Sequence, residues 1–293
     1  MSAPASQAAE VEVGLAAPDL GPRVTAPLGR RRCAVVGNEA AGAYRVVSLQ
    51  DETGPAPLPG QFYMLTAAAD WGEGASQRPY LARAFSVCRA RDARLDFLVE
   101  EIGPGTRRLA RLLPDEHAWV VGPLGIGFST PPTLTPGTDG TRAMLVGGGA
   151  GVAPLVCWAE SLLSAGTDVR TLVGFRSRAH AHAAELLPGA VDVATDDGSV
   201  GHRGLVTELL ERRLAEDGDA VVYACGPPPM LEAVRQICAR RSLPAQLALE
   251  EAMACGFGAC FGCVVRTRSG YRRICVDGPI VNASELDDSW LER

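Results

Sequence analysis

The stretch AMLVGGGAGVAP, from Ala143 to Pro154, decides the fold. Its first four residues form the continuous apolar run of a strand buried on both faces. Glycines at 147, 148, 149 and 151 follow, where the chain has to turn sharply. Pro154 suits the first turn of a helix, where its missing N–H costs nothing. A strand, a glycine turn and a helix in that order read as the opening of a parallel α/β unit, and the downstream chain repeats the alternation. VRTLVGF (169–175), VDVAT (191–195) and AVVYACG (220–226) are further buried-strand runs, whereas APLVCWAESLLSAG, VTELLERRLAE and PMLEAVRQICARR carry helical apolar spacing. A parallel sheet wound by right-handed crossovers is therefore expected over 138–245. The turn at Gly149, Gly151 and Pro154 would let a diphosphate approach the backbone at a helix N-terminus, and Cys225-Gly226-Pro-Pro-Pro-Met230 ends a later strand at the same edge.

N-terminal to this unit the pattern is different. CAVVG, YRVVSL, QFYML, RAFSVC, LDFLVE and HAWVV are six short strands between Gly/Pro turns, which predicts an antiparallel barrel over 31–137. RRLARLL, Arg107 to Leu113, has the spacing of a short helix capping it. PPTLTPGTDGT at 131–141 reads as a linker. Residues 1–30, rich in Ala and Pro without a basic segment before an apolar core, read as a disordered tail rather than a signal peptide.

C-terminal to the α/β unit, Cys255-Gly-Phe-Gly-Ala-Cys260-Phe-Gly-Cys263, followed by Cys275, has the C-x4-C-x2-C…C spacing of plant-type [2Fe-2S] sites. Gly256, Gly258 and Gly262 free the backbone to aim several thiolates at one point. A disulfide knot or structural zinc is the alternative, but only one short C-x2-C clip is present. VVRTRSGYRRICV reads as a hairpin turning at Ser269-Gly270, and 246–293 forms a small third unit.

Composition narrows the classes. The 293 residues hold 34 acidic and 28 basic side chains, and no Lys/Arg cluster interleaves with aromatics, so nucleic acid is not an expected partner. The longest uncharged run, Ala143 to Ala159, contains four glycines and Pro154, and no membrane span is expected. Of nine cysteines, Cys33, Cys88, Cys157, Cys225 and Cys238 are scattered without a framework, which fits a reducing cytoplasm. Cys33, Cys88, Cys157 and Cys238 read as buried small hydrophobes. His117, His180, His182 and His202 share no ligand spacing, and Asp196-Asp197-Gly198 reads as a turn.

The ordered motifs R-x-F-S at 83–86, G-x-G-T at 103–106, G-P-L-G-x-G-F at 122–128, G-G-G-x-G-x-x-P-L at 147–155 and C-G-P-x-x-M-L at 225–231 resemble the ferredoxin-reductase family. L-E-E-x-M-A-C-G-x-G-A-C-x-G-C-V-V…C-x-D-G-P, Leu249 to Pro279, resembles the iron–sulfur electron-transfer subunits of NAD-dependent, two-subunit dihydroorotate dehydrogenases. The resemblance implies FAD held by Arg83, Phe85 and Ser86, with Gly105 and Thr106 at its diphosphate; Phe85 stands where many relatives carry Tyr or Ile. It implies NAD shaped by Gly149, Gly151 and Pro154, with Gly226 and a catalytic Cys225 beside the nicotinamide, and Cys255, Cys260, Cys263 and Cys275 as iron ligands. Arg176 and Arg178 could instead admit a 2′-phosphate, so NAD and NADP both stay open.

The resemblance further implies a partner, an FMN-containing catalytic subunit in a heterotetramer, without which this chain does not act on dihydroorotate. The alternatives are a homologous FAD/[2Fe-2S] subunit of another NAD(P)H-linked oxidoreductase and a cluster-bearing redox sensor. Serine is a poorer donor to iron than thiolate. Cys263→Ser is therefore expected to abolish the visible iron–sulfur absorbance while flavin stays bound, and a variant retaining its full iron and sulfide would overturn the ligand assignment.

Overall fold

The computed structural model describes residues 22, 29–72, 79–131, 142–218 and 220–291. The expected tail and linker fall almost wholly outside the described residues. Seven strands build the first sheet: β1 (Arg31–Ala41), β2 (Tyr44–Gln50), β3 (Phe62–Ala67), β4 (Arg83–Ser86), β5 (Arg89–Arg91), β6 (Arg94–Glu100) and β7 (His117–Leu124). They pair antiparallel in the order β4-β3-β7-β1-β2-β6-β5. Alternate residues of these strands share one apolar interior: Val47 and Leu49, Tyr63 and Leu65, Phe97 and Val99, Ala118 and Val120. That is the period-two pattern of a sheet with one face turned to a shared core.

Helix α1 (Pro104–Ala110) closes this interior with Leu109. It starts three residues earlier than the apolar spacing predicted, because Pro104 favours the first helical turn and the Thr106 hydroxyl accepts the Gly103 N–H at 3.0 Å.

The second sheet comprises β8 (Arg142–Gly148), β9 (Val169–Phe175), β10 (Val191–Thr195), β11 (His202–Arg203), β12 (Ala220–Cys225), β13 (Ala245–Ala248) and β16 (Ile280–Asn282). Its order is β11-β10-β9-β8-β12-β13-β16, parallel except for β16. Helix α2 (Ala153–Ser164) covers one face, and α4 (Val206–Asp217) with α5 (Pro228–Arg240) covers the other. Alternation along β12 divides its side chains between the two cores, with Tyr223 on the α2 side and Val222 and Ala224 on the other. A short helix, α3 (Arg178–Ala181), follows β9.

The C-terminal unit carries β14 (Val264–Thr267), β15 (Gly270–Arg273) and α6 (Ile274–Asp277). Its hairpin turns at Arg268-Ser269, one residue before the expected position, because Thr267 pairs with Gly270 across the ladder. The chain then returns to the second sheet as β16. Its last segment is strapped to α5: Trp290 is buried and its Nε1 donates to Glu232 at 2.5 Å, while Arg235 donates to Glu232 twice and to Asp288. Burial opposes ionisation of Glu232, yet the hydrogen bonds from Arg235, Trp290 and Gln236 hold its carboxyl down at about 2. The stability this carboxylate adds is present above its ordinary pKa and fades as pH falls toward 2.

Truncating a buried Trp costs about 3–5 kcal/mol. Trp290→Ala is therefore expected to lower the denaturant midpoint markedly and Trp290→Phe much less; an unchanged midpoint for the alanine variant would show that the strap carries no packing.

Candidate functional site

The strand order of the second sheet reverses at β8, which has β9 on one side and β12 on the other, and ligands of such sheets bind outside the strand ends at this switch point. The loops after β8 and β12 meet there. A Cβ on Gly151 would lie 2.4 Å from the Cys225 carbonyl oxygen and 2.7 Å from Gly226 Cα, so only glycine permits the approach. Gly149 turns at φ +56°, and Pro154 sits in the first turn of α2. Above these loops, β4 and α1 of the first sheet supply the opposite wall of a cleft of about 350 Å³.

The cleft gathers Arg83, Phe85, Ser86, Thr106, Gly151, Pro154 and Cys225 from the predicted set. Gly105, Gly149 and Gly226 are chain neighbours of its lining residues. A Cβ on Gly105 would meet Arg83 Nε at 2.9 Å, so this glycine lets the guanidinium lie against α1. Arg83 is half-buried and donates to the carbonyls of Leu81 and Ala82, with no carboxylate partner among the described residues. Cys225 is buried, and burial followed by the Glu250 charge pushes its thiol well up, so it stays protonated.

The cleft also contains residues to which the sequence reading gave no role: Phe62, Glu250, Glu251, Met253 and Pro279. Glu250 is reached by water, yet the crowding walls raise its carboxyl. The signal was the L-E-E-x-M run itself, which leads from β13 into the cysteine loop.

That loop rests on the first sheet. A Cβ on Gly256, at φ +79°, would meet Met64 Cγ at 2.4 Å. Cys263 and Cys275 are buried, Cys255 is half-buried and Cys260 is exposed. The Cys255 thiol feels Cys260, and the Cys275 thiol feels both Cys263 and Cys255. Among the described residues no three His, Cys, Asp or Glu side chains group around a single metal ion. A two-iron cluster needs four thiolates, and the segment supplies four free cysteines. Burial opposes ionisation of Cys255, but backbone N–H groups of Cys260, Phe257 and Ala259 overcome it and lower the thiol to about 6. Gly258 N–H points at Cys275 Sγ at 3.1 Å, and Cys275 N–H at Cys263 Sγ at 3.4 Å. The Gly258 N–H only partly offsets the burial and the neighbouring Cys263 that push the Cys275 thiol up to about 12. Phe257 and Phe261 lie in the same loop and are 49% and 63% exposed, with the Arg273 guanidinium over the Phe261 ring at 5.5 Å.

Other candidates stay outside. Arg176 is exposed, and the Arg178 N–H binds the Ser199 hydroxyl at 2.7 Å. Asp196-Asp197-Gly198 is a turn, with Gly198 at φ +71° and Asp197 accepting the Ser199 N–H. His180, His182 and His202 each pair with a glutamate. Cys157, expected in the core, is only half-buried because it lies on α2 at the rim facing Val87.

A glycine-built cleft at the switch point of a parallel sheet, beside a segment with four free cysteines, defines a nicotinamide-type oxidoreductase carrying an iron–sulfur unit. Comparison with known proteins agrees. Residues 145–236 match the oxidoreductase NAD-binding domain, and 250–287 match the iron–sulfur cluster binding domain of dihydroorotate dehydrogenase B. The electron transfer subunit of dihydroorotate dehydrogenase B (NAD(+)) from Bacillus caldolyticus is 40% identical, covering 78% of this chain and 86% of its own. The one from Geobacillus thermodenitrificans is 37% identical, covering 88% and 99%. Among solved structures, one of an NADH-dependent reduced ferredoxin-NADP oxidoreductase has TM-score 0.72 at 23% identity, covering 91% of this chain and 94% of that one, a likeness of fold. The chain belongs to the family of dihydroorotate dehydrogenase B electron transfer subunits.

Overpacking a tight contact costs about 1–3 kcal/mol. Because both atoms facing Gly151 are backbone, Gly151→Ala is expected to lose stability of this order in a denaturant titration; an unmoved midpoint would show that the two loops part freely.

Proposed function

We propose that this chain passes electrons between an FMN-bearing dihydroorotate dehydrogenase catalytic subunit and NAD in pyrimidine biosynthesis, through a [2Fe-2S] cluster and FAD. Bound in the cleft, flavin exchanges hydride with nicotinamide and single electrons with an iron–sulfur centre. Arg83, Phe85 and Ser86 hold the FAD, with Gly105 and Thr106 at its diphosphate. Gly149, Gly151, Pro154 and Gly226 would shape the nicotinamide site, with the neutral Cys225 in its wall. Cys255, Cys260, Cys263 and Cys275 bind the two irons.

The carrying observation is the short link between the two compartments. Met253 lines the cleft and Cys255 is two residues on, a span of at most about 7 Å of extended chain. On β3, Phe62 lines the cleft while Met64, on the same face, meets the cysteine loop. One strand and one dipeptide separate the sites.

The units are read as a FAD-binding barrel (31–137), an NAD-binding domain (138–245) and a cluster domain (246–293), with a tail over 1–30. The assembly is read as a cytoplasmic heterotetramer; no helix among the described residues is long and apolar enough to cross a membrane. Exposed Phe257 and Phe261 beside the exposed Cys260 suit the docking of the catalytic subunit, since buried aromatics are typical interface anchors.

The purified single chain is expected to oxidise NADH with an artificial acceptor but to leave dihydroorotate untouched until the flavoprotein partner is added. Phe261→Asp should keep its cluster spectrum and lose complex formation in gel filtration. Dihydroorotate-dependent NAD reduction by the chain alone would sink the relay reading.

A further inference from the structure

We propose that Trp71 is a FAD ligand, its indole Nε1–H donating to the diphosphate clamped by Arg83. The inference rests on the reading of Arg83 as the phosphate clamp. Trp71 lies just beyond β3, whose antiparallel partner β4 begins with Arg83. Its ring packs on the interior of the first sheet together with Phe85, and the Arg83 guanidinium carbon sits 5.9 Å from the ring centroid.

One buried donor at this spot lacks an acceptor, and the Arg83 beside it has nitrogens to spare. Trp71 Nε1 is shielded from solvent and makes no hydrogen bond. Native proteins rarely leave a buried donor in that condition. Arg83 is half-buried, and among the described residues its acceptors are the carbonyls of Leu81 and Ala82, both on one nitrogen. Neither side chain can satisfy the other, because indole and guanidinium are both donors only. A group that meets both needs must bring several anionic oxygens, and Gly105 keeps the space beside Arg83 Nε and one terminal nitrogen clear of a side chain. A diphosphate has that chemistry. Riboflavin has no such oxygens.

Flavin is removed from the purified protein, and FAD and riboflavin are titrated back into wild type, Trp71→Phe and Arg83→Ala. The cluster absorbance of each variant serves as the check on folding. Phenylalanine keeps the ring packing and deletes only the N–H. Trp71→Phe is expected to weaken FAD by about five- to tenfold and to leave riboflavin unchanged. Arg83→Ala is expected to weaken FAD by about ten- to hundredfold. Quenching of tryptophan emission by FAD should also shrink in Trp71→Phe. If Arg83→Ala weakens FAD while Trp71→Phe does not, a buried water satisfies the indole and the proposal falls alone. Equal weakening of riboflavin by Trp71→Phe would also overturn it, as loss of packing. If neither variant weakens FAD, the Arg83 reading falls as well.

Discussion

The contact between Gly256 and Met64 governs the arrangement of this molecule. A single added methyl at Gly256 would overlap the Met64 side chain, and its φ of +79° is costly for any other residue. Because the loop can lie flat against β3, Cys263 and Cys275 join the same apolar core as Phe62 and Met64. The cysteine loop is thereby fixed to the wall of the cleft. An electron-carrying centre needs a fixed distance more than it needs contact with substrate, and packing to interior density supplies that rigidity.

The second sheet is arranged to the same end. Its parallel strands are buried on both faces, which leaves their C-terminal ends as the free edge. Glycines at 149 and 151 let that edge close to backbone contact with the loop after β12, and β4 and α1 form the opposing wall. The first sheet grips the second elsewhere too: the Ala43 N–H donates to the Ala179 carbonyl at 2.7 Å, Tyr44 stacks edge-on against His180, and His180 lies 3.4 Å from Glu100, itself a cleft residue. The cleft keeps its shape because its walls are tied outside it.

Much of this was legible in the residues. Continuous apolar runs and glycine turns announced β8, β9, β10 and β12 with helices α2, α4 and α5, because each is a local pattern with a local cause. Features set by distant contacts were not. Helix α1 begins at Pro104 because a proline and a threonine hydroxyl outweigh the apolar spacing that starts at Arg107. The hairpin turn is placed by ladder register rather than by Gly270. Glu250 and Met253 become cleft residues only once β13 has delivered them to the sheet edge, and Trp71 meets Arg83 only through the pairing of β3 with β4. Seven lining residues of the cleft were named from motifs, but which of them face one another is a property of the sheets.

The return of the chain as β16 makes these units inseparable in a way that their order along the sequence conceals. Cut away after the parallel crossovers, the nucleotide half would present β13 as a bare ladder edge with Leu247 uncovered, a template for pairing with other chains. The iron–sulfur segment is thus also the sheet's edge guard. Loss of that segment alone would leave an unpaired strand edge, so the packing of the nucleotide half depends on a stretch of chain that lies beyond the cysteine loop.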